Sequence, residues 1–318
     1  MPMVCNLRSS FENRFKVAII GCGSVGAAAA YAMLMDGTPT ELVLIDRSKE
    51  RVDGLRLDFE HSLSFLKMTR VSASDDYEAC KDADLIFVTA GARQQEGETR
   101  LQLVGKNRKI IAEIIPAVAK VAPKSIIVMV SNPVDVLTLE AIRLSGFPQG
   151  RVFGTGTMLD TARLRFHIAE KLCLNSSSVQ AYVLGEHGDT SFPVFSSANV
   201  AGKSLYDFDG FTKEVAKQCY EDTRNAAYRI IHDLGYTCYS IGIVMKEIMV
   251  HVFQHSKVVV PLSVELKGYY GHSGVALSVP CVLDSEGVSE VIEVPLDKGE
   301  QEYLAKSVQT LKGYLVFP

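Results

Sequence analysis

Residues 16–35 read KVAIIGCGSVGAAAAYAMLM, and within them Gly21, Gly23 and Gly26 have the spacing GxGxxG. The glycines follow a short apolar run rich in β-branched residues and precede a stretch of small side chains, the order strand, turn, helix. Glycine at these places permits a tight turn and close backbone approach, so that a pyrophosphate can rest on the amino end of the helix. The spacing alone is a weak signal. Asp46 strengthens it, because it ends the next apolar run, ELVLI, twenty residues beyond Gly26. A carboxylate there accepts hydrogen bonds from both ribose hydroxyls and repels a 2′-phosphate, which favours NAD over NADP. Arg47 is the neighbouring feature that would tolerate the extra phosphate. Ser24 and Val25 complete the expected turn, and Ala90 and Gly91, at the end of the run DLIFVTAGA, the expected cofactor side of the sheet.

The alternation continues outward through ELVLID, DLIFVTAGA and SIIVMVSNP, with longer periodic segments between. Runs apolar on both faces suit parallel strands covered by helices on both sides, joined by right-handed crossovers, with ligands at the carboxyl ends. The expected fold is α/β: a Rossmann-type doubly wound parallel sheet over 15–154, preceded by an arm at 1–14 and followed by a mixed α+β substrate domain at 155–318. In that second part we expect a helix at MLDTARLRFHIAEKL, a strand at VQAYVL, two helices within about 211–253, strands at KVVVPLSV and VALSVPCVL, and a terminal helix. A chain of 318 residues is long enough for two domains.

With 47% hydrophobic and 22% charged residues the composition is that of a globular protein. A net charge of −4, with scattered basic residues, argues against nucleic acid as a partner. No window approaches the roughly 20 apolar residues of a membrane span, and the amino-terminal residues lack the apolar stretch of a signal peptide. We therefore expect no membrane partner and a cytoplasmic location. The seven cysteines stand singly, without CxxC pairs, which suggests reduced thiols.

Nicotinamide chemistry needs a proton donor for the carbonyl oxygen that becomes an alcohol, and histidine exchanges protons near neutral pH. Of seven histidines, His187 lies in VLGEHGD, between glycines and after a strand. By itself that setting does not separate a proton carrier from a histidine held in a core. His251 and His255 are spaced i, i+4, but no third ligand motif accompanies them, so no metal is expected.

Read together, GCGSVGAAAAYAML, IDR, AGARQQEGETR, SNPVD, LDTARLR and LGEHGD occur in that order. From about residue 15 to its end the chain resembles the lactate/malate dehydrogenase family. The resemblance implies NAD-dependent interconversion of a small 2-hydroxy acid and its 2-oxo acid, with His187 as proton donor and acceptor and Asp160 holding its imidazole in one tautomer. It implies that Arg163, one helical turn along, forks onto the substrate carboxylate. It also implies that Arg100, at the end of QQEGETR on a closing loop to which Gly91 and Gly97 lend mobility, polarises the carbonyl. Asn132 would hydrogen-bond the substrate oxygen or the nicotinamide side, Pro133 would start a helix, and Thr237 would line the substrate pocket, although alone it reads as a helix cap. A homo-oligomer is implied, usually a tetramer, with a dimer as the alternative.

In this family the residue six before the loop arginine separates substrates, and here it is Gln94. A second substrate carboxylate needs a paired arginine in a poorly solvated site, so glutamine favours pyruvate and lactate over oxaloacetate and malate. Arg93 next to it is the residue that could restore a guanidinium. Some bacterial members take fructose 1,6-bisphosphate on an arginine and a histidine. Arg165 fits the first, but Gln180 stands where the histidine should be, so little activation is expected. Two further patterns read as decoys: YEACK at 77–81, which imitates a YxxxK pair, and AGKS at 201–204, which imitates part of a phosphate loop. A silent binding protein on the same scaffold is the rival from another class, but it would be expected to have lost a catalytic group.

Overall fold

The computed structural model describes residues 14–92 and 100–315, leaving out the side chains of Arg100 and Leu101. Strand β1 (Lys16–Ile20) is buried along its whole length, as are β4 (Leu85–Val88) and β5 (Ile126–Met129), which is why their sequences are apolar without alternation. They belong to a parallel set with β2 (Glu41–Ile45), β3 (Arg70–Ser74) and β6 (Val152–Gly154), in the order β3-β2-β1-β4-β5-β6. The order reverses between β1 and β4, and an open crevice forms at the carboxyl ends of such a pair. Helices α1 (Ser24–Asp36), α2 (Lys49–Ser62), α3 (Arg100–Val121) and α4 (Val134–Ser145) are the connections between these strands.

The second half is mixed α+β, as its sequence implies, and part of it joins the first sheet. Strands β10 (Val258–Lys267), β11 (Ser273–Asp284) and β12 (Gly287–Val291) extend the first sheet antiparallel beyond β6, to nine strands. The link is short, Ser263 opposite Gly154, and Gly154 is required there: a Cβ would lie 2.4 Å from Thr138 Oγ1. A three-stranded antiparallel sheet of β7 (Val179–Leu184), β8 (Phe192–Val200) and β9 (Lys203–Ser204) stands apart. It packs with α5 (Met158–Leu172) and α6 (Lys213–Leu234) around Leu164, Ile168, Val179 and Phe211. A bridge between Gly185 and Ser278 fastens it to β11.

Helix α7 (Tyr239–Phe253) lies against α1, with Gly242 so close that a Cβ would come 3.0 Å from the backbone of Ala28 and Ala29. The alanines of α1 thus serve helix contact, while Gly26 serves the sheet. Helix α8 (Lys298–Leu315) starts in a reciprocal cap, Glu300 N–H to Asp297 Oδ1 and Asp297 N–H to Glu300 Oε2, both 2.9 Å.

Three smaller expectations are corrected. Pro133 precedes α4 as its cap, joined to Asn132 by a cis peptide, rather than opening the helix. Thr237 lies in the α6–α7 connection and Cys238 holds the cap position, so Thr237 is no cap. His255 falls beyond the end of α7 in the left-handed region, which separates it from the helix face of His251. AGKS is a decoy in the structure too: it turns the chain from β8 into β9, and only a three-residue 3-10 turn, Leu205–Asp207, follows it, too short to receive a phosphate. The six described cysteines form no disulfide among themselves, and no described helix is long and apolar enough to cross a membrane.

Candidate active site

At the carboxyl edge, Gly21 takes φ +97°, and a Cβ on it would lie 2.5 Å from Ala90 N. Gly26 is tighter: a Cβ there would lie 2.2 Å from Gly21 O. Gly23 is the opposite, with no atom within 4 Å of its Cβ position, and it caps α1 without a side-chain bond or an acid in the first turn. The result is an open recess facing the positive end of a helix, the arrangement that receives a pyrophosphate. Asp46 borders it, with Oδ2 accepting from Cys22 N–H at 2.8 Å and Oδ1 from Ser48 N–H at 3.1 Å. The carboxylate therefore orders the glycine turn. Ser24 and Val25 open α1, and Ala90 is tied to β5's end by Ser131 Oγ–H to its carbonyl, 2.6 Å. On these grounds the residues fit an NAD molecule.

Further along the edge, buried Asn107 of α3 accepts from Ala92 N–H at 2.7 Å and donates to Asn132 O at 2.7 Å. Gly91 packs beside it, and Asn132 caps with its own Oδ1 toward Val134 N–H, 3.3 Å. Arg100 begins α3. Gln94, with Arg93 and Gly97, lies outside the described residues.

Asp160, in the first turn of α5, faces the loop after β7. Thr157 and Thr161 hold the two elements in register, Thr157 Oγ1–H donating to Val183 O at 2.5 Å and Val183 N–H to Thr161 Oγ1 at 2.9 Å. Asp160 Oδ2 consequently accepts from His187 Nδ1 at 2.7 Å, while Oδ1 accepts from Arg163 at 3.1 Å. The His187 side chain keeps 29% exposure, whereas Asp160 and Arg163 retain 15% and 13%.

Burial pulls the His187 imidazole down, but the charge and hydrogen bond of Asp160, with Asp135 behind them, outweigh it and raise the pKa above its ordinary value. Asp160 is penalised by burial too, yet His187 and Arg163 hold it below the usual carboxylate range. It stays ionised and makes Nδ1 the donor.

The backbone of the loop is fixed from three further sides. Gly185 pairs with Ser278 of β11, Glu186 N–H donates to Ser307 Oγ of α8 at 3.2 Å, and His187 N–H donates to Asp135 Oδ2 of α4 at 2.7 Å. Ser307 also donates to Thr190 O, so one hydroxyl joins both ends of the loop. Asn107, Asp135 and Ser307 escape a sequence reading. The one visible hint is a carboxylate inside the apolar stretch VDVLTL. Thr237 stands in the α6–α7 connection, partly buried.

A dinucleotide recess at the carboxyl edge of the first sheet, with a carboxylate-paired histidine whose loop is tied to the first turn of α4, defines an NAD-dependent oxidoreductase. The chain belongs to the lactate/malate dehydrogenase family: residues 15–154 match that family's NAD binding domain and residues 157–315 its alpha/beta C-terminal domain. An L-lactate dehydrogenase of Clostridium botulinum (strain Loch Maree / Type A3) is 38% identical over 313 residues, 96% of this chain and 97% of its own. The L-lactate dehydrogenase B-A chain of Danio rerio is 44% identical over 306 residues, covering 94% and 92%. Among solved structures, the minor L-lactate dehydrogenase of Enterococcus mundtii superposes with a TM-score of 0.92 at 38% identity, covering 95% of this chain and 98% of the other. MGS-M5, a lactate dehydrogenase from a deep-sea metagenome library, gives the same TM-score, identity and coverage.

Proposed function

We propose that this protein is an L-lactate dehydrogenase that reversibly reduces pyruvate to L-lactate with NADH. The Asp160–His187 pair, with Arg163 on the same carboxylate, is the observation that carries the reading. Bound NAD supplies or takes up the hydride. His187 does the proton work: with Nδ1–H given to Asp160, its Nε2 donates a proton to the carbonyl oxygen during reduction and takes it back during oxidation, and Asp160 stabilises the imidazolium. Arg163 forks onto the substrate carboxylate. Arg100 polarises the carbonyl, Asn132 hydrogen-bonds beside it, and Thr237 and Gln94 border the substituent. Gly21, Gly23, Ser24, Val25 and Gly26 hold the pyrophosphate, Asp46 the ribose, and Ala90 and Gly91 flank the recess.

The division of labour falls near residue 154, with a cofactor domain at 15–154, a substrate domain at 155–318 and an arm at 1–14. We infer a homo-oligomer, a tetramer with a dimer as the alternative, and exposed Tyr31, Met35, Leu57, Met68 and Phe65, the last 87% exposed, support an apolar contact face. Six described cysteines with no disulfide among them support a reducing, cytoplasmic location. The test is a panel of pyruvate, oxaloacetate and bulkier 2-oxo acids with NADH and NADPH. Pyruvate with NADH should give the highest kcat/KM, and a preference for oxaloacetate or NADPH would refute the reading.

A further inference from the structure

Asp135 of α4 is only 2% exposed and has no part in the cofactor or substrate contacts above. Its oxygens serve two distant elements: Oδ2 accepts from His187 N–H at 2.7 Å, and Oδ1 accepts from the hydroxyl of fully buried Ser263 on β10 at 2.6 Å. A neutral amide would satisfy the same partners, with Ser263 rotated to accept, so the hydrogen bonds alone do not require a charge. A buried carboxylate is costly unless its charge is used.

What the charge adds is a second negative group acting on the imidazole. The groups that face His187 are Asp160 and Arg163 from α5 and Asp135 from α4, while Glu186 in the same loop bears on Asp135. Asp160 and Asp135 favour the imidazolium and Arg163 opposes it. Burial pushes the Asp135 carboxyl up to about 6, against the pull of Ser263 and His187, which leaves it ionised at neutral pH.

We propose that Asp135 is a positioning residue for proton transfer, fixing the backbone of His187 through one oxygen while Ser263 of β10 anchors the other, so that a second buried carboxylate stands behind the loop that carries the imidazole. This rests on the reading of His187 as the proton carrier.

Asp135→Asn keeps both hydrogen bonds and removes the charge. In the full-length enzyme the alkaline limb of kcat/KM for pyruvate reduction should move down by about half a unit to one pH unit, with NADH affinity held within about threefold. A purely structural role would leave the limb in place, and an unmoved limb overturns the proposal. Should that variant fail to fold, the parent enzyme decides. With ¹³C-labelled histidine, the His187 resonance should titrate in two steps, one near pH 6 from Asp135 and its own above it. A single step overturns the proposal. His187→Asn separates the two readings: if it retains turnover, the proton-carrier reading falls and this inference with it. If it is inactive while Asp135→Asn keeps the parent limb, only the inference falls.

Discussion

Asp160 and His187, 27 residues apart in the chain, meet through a 2.7 Å hydrogen bond between Oδ2 and Nδ1. The pairing makes the imidazole a better base than a free one, because the imidazolium is stabilised by a carboxylate that burial prevents water from screening.

The sign for pH dependence follows. Pyruvate reduction needs the imidazolium, so its rate should hold past the ordinary histidine value of about 6.5 and fall as pH rises through the raised pKa. Lactate oxidation needs the neutral ring and should rise through the same pH. Asp160→Asn should shift both limbs downward and lower kcat by roughly 10²- to 10⁴-fold. Steady-state rates from pH 5 to 10 decide it, and unshifted limbs would contradict the pairing.

Replacing the proton carrier should separate binding from chemistry. His187→Asn should bind NADH within a few-fold of the parent, by fluorescence titration, and lose turnover by at least about 10². Retained turnover would move the proton-transfer role to another residue.

The glycine turn offers a contrast between fold and ligand. Gly26→Ala places a methyl 2.2 Å from Gly21 O, a backbone atom that cannot swing aside, and should cost about 1–3 kcal/mol of stability along with NADH affinity. Gly23→Ala meets no protein atom and should leave Tm within a few degrees while weakening NADH binding, because its methyl enters the cofactor recess. Equal thermal loss in both variants, by calorimetry, would count against this account.

Substrate choice is tested at Gln94. Gln94→Arg should move the ratio of kcat/KM for oxaloacetate over pyruvate by about 2–5 kcal/mol, the scale of a desolvated carboxylate that gains its partner. An unchanged ratio would remove Gln94 from the pocket.

Arg165 gives the last prediction. Its Nε donates to Ala181 O at 3.0 Å, and its guanidinium lies over Tyr182, 5.3 Å from the ring centre, while Gln180 beside it is exposed. A cation engaged this way, without a histidine partner, should respond weakly to fructose 1,6-bisphosphate. A fall of more than about threefold in pyruvate KM on adding it would reverse this view.

Legibility in the sequence followed physical type. The runs KVAII, LIFV and IIVM were readable because strands buried on both faces must be continuously apolar. RVSAS and FPVFSSANV were not, because both are partly exposed and carry serines at the positions that would show alternation. Asp160, Arg163 and His187 stand in distinctive local motifs. Asp135, Ser263 and Ser307 are single polar residues whose importance lies wholly in the partner across the gap.

By itself the sequence determined the strand–glycine–helix unit, the acid that closes it, the order of strands and helices along the chain, and the family motifs, since each depends on neighbours within a few residues. Only the tertiary structure decided that β10–β12 continue the first sheet, that α1 offers its alanines to Gly242 of α7, and that four elements converge on the loop carrying His187. Those outcomes depend on which buried faces meet and which polar groups are left to be satisfied there, and packing between segments more than a hundred residues apart leaves no periodic trace in the chain.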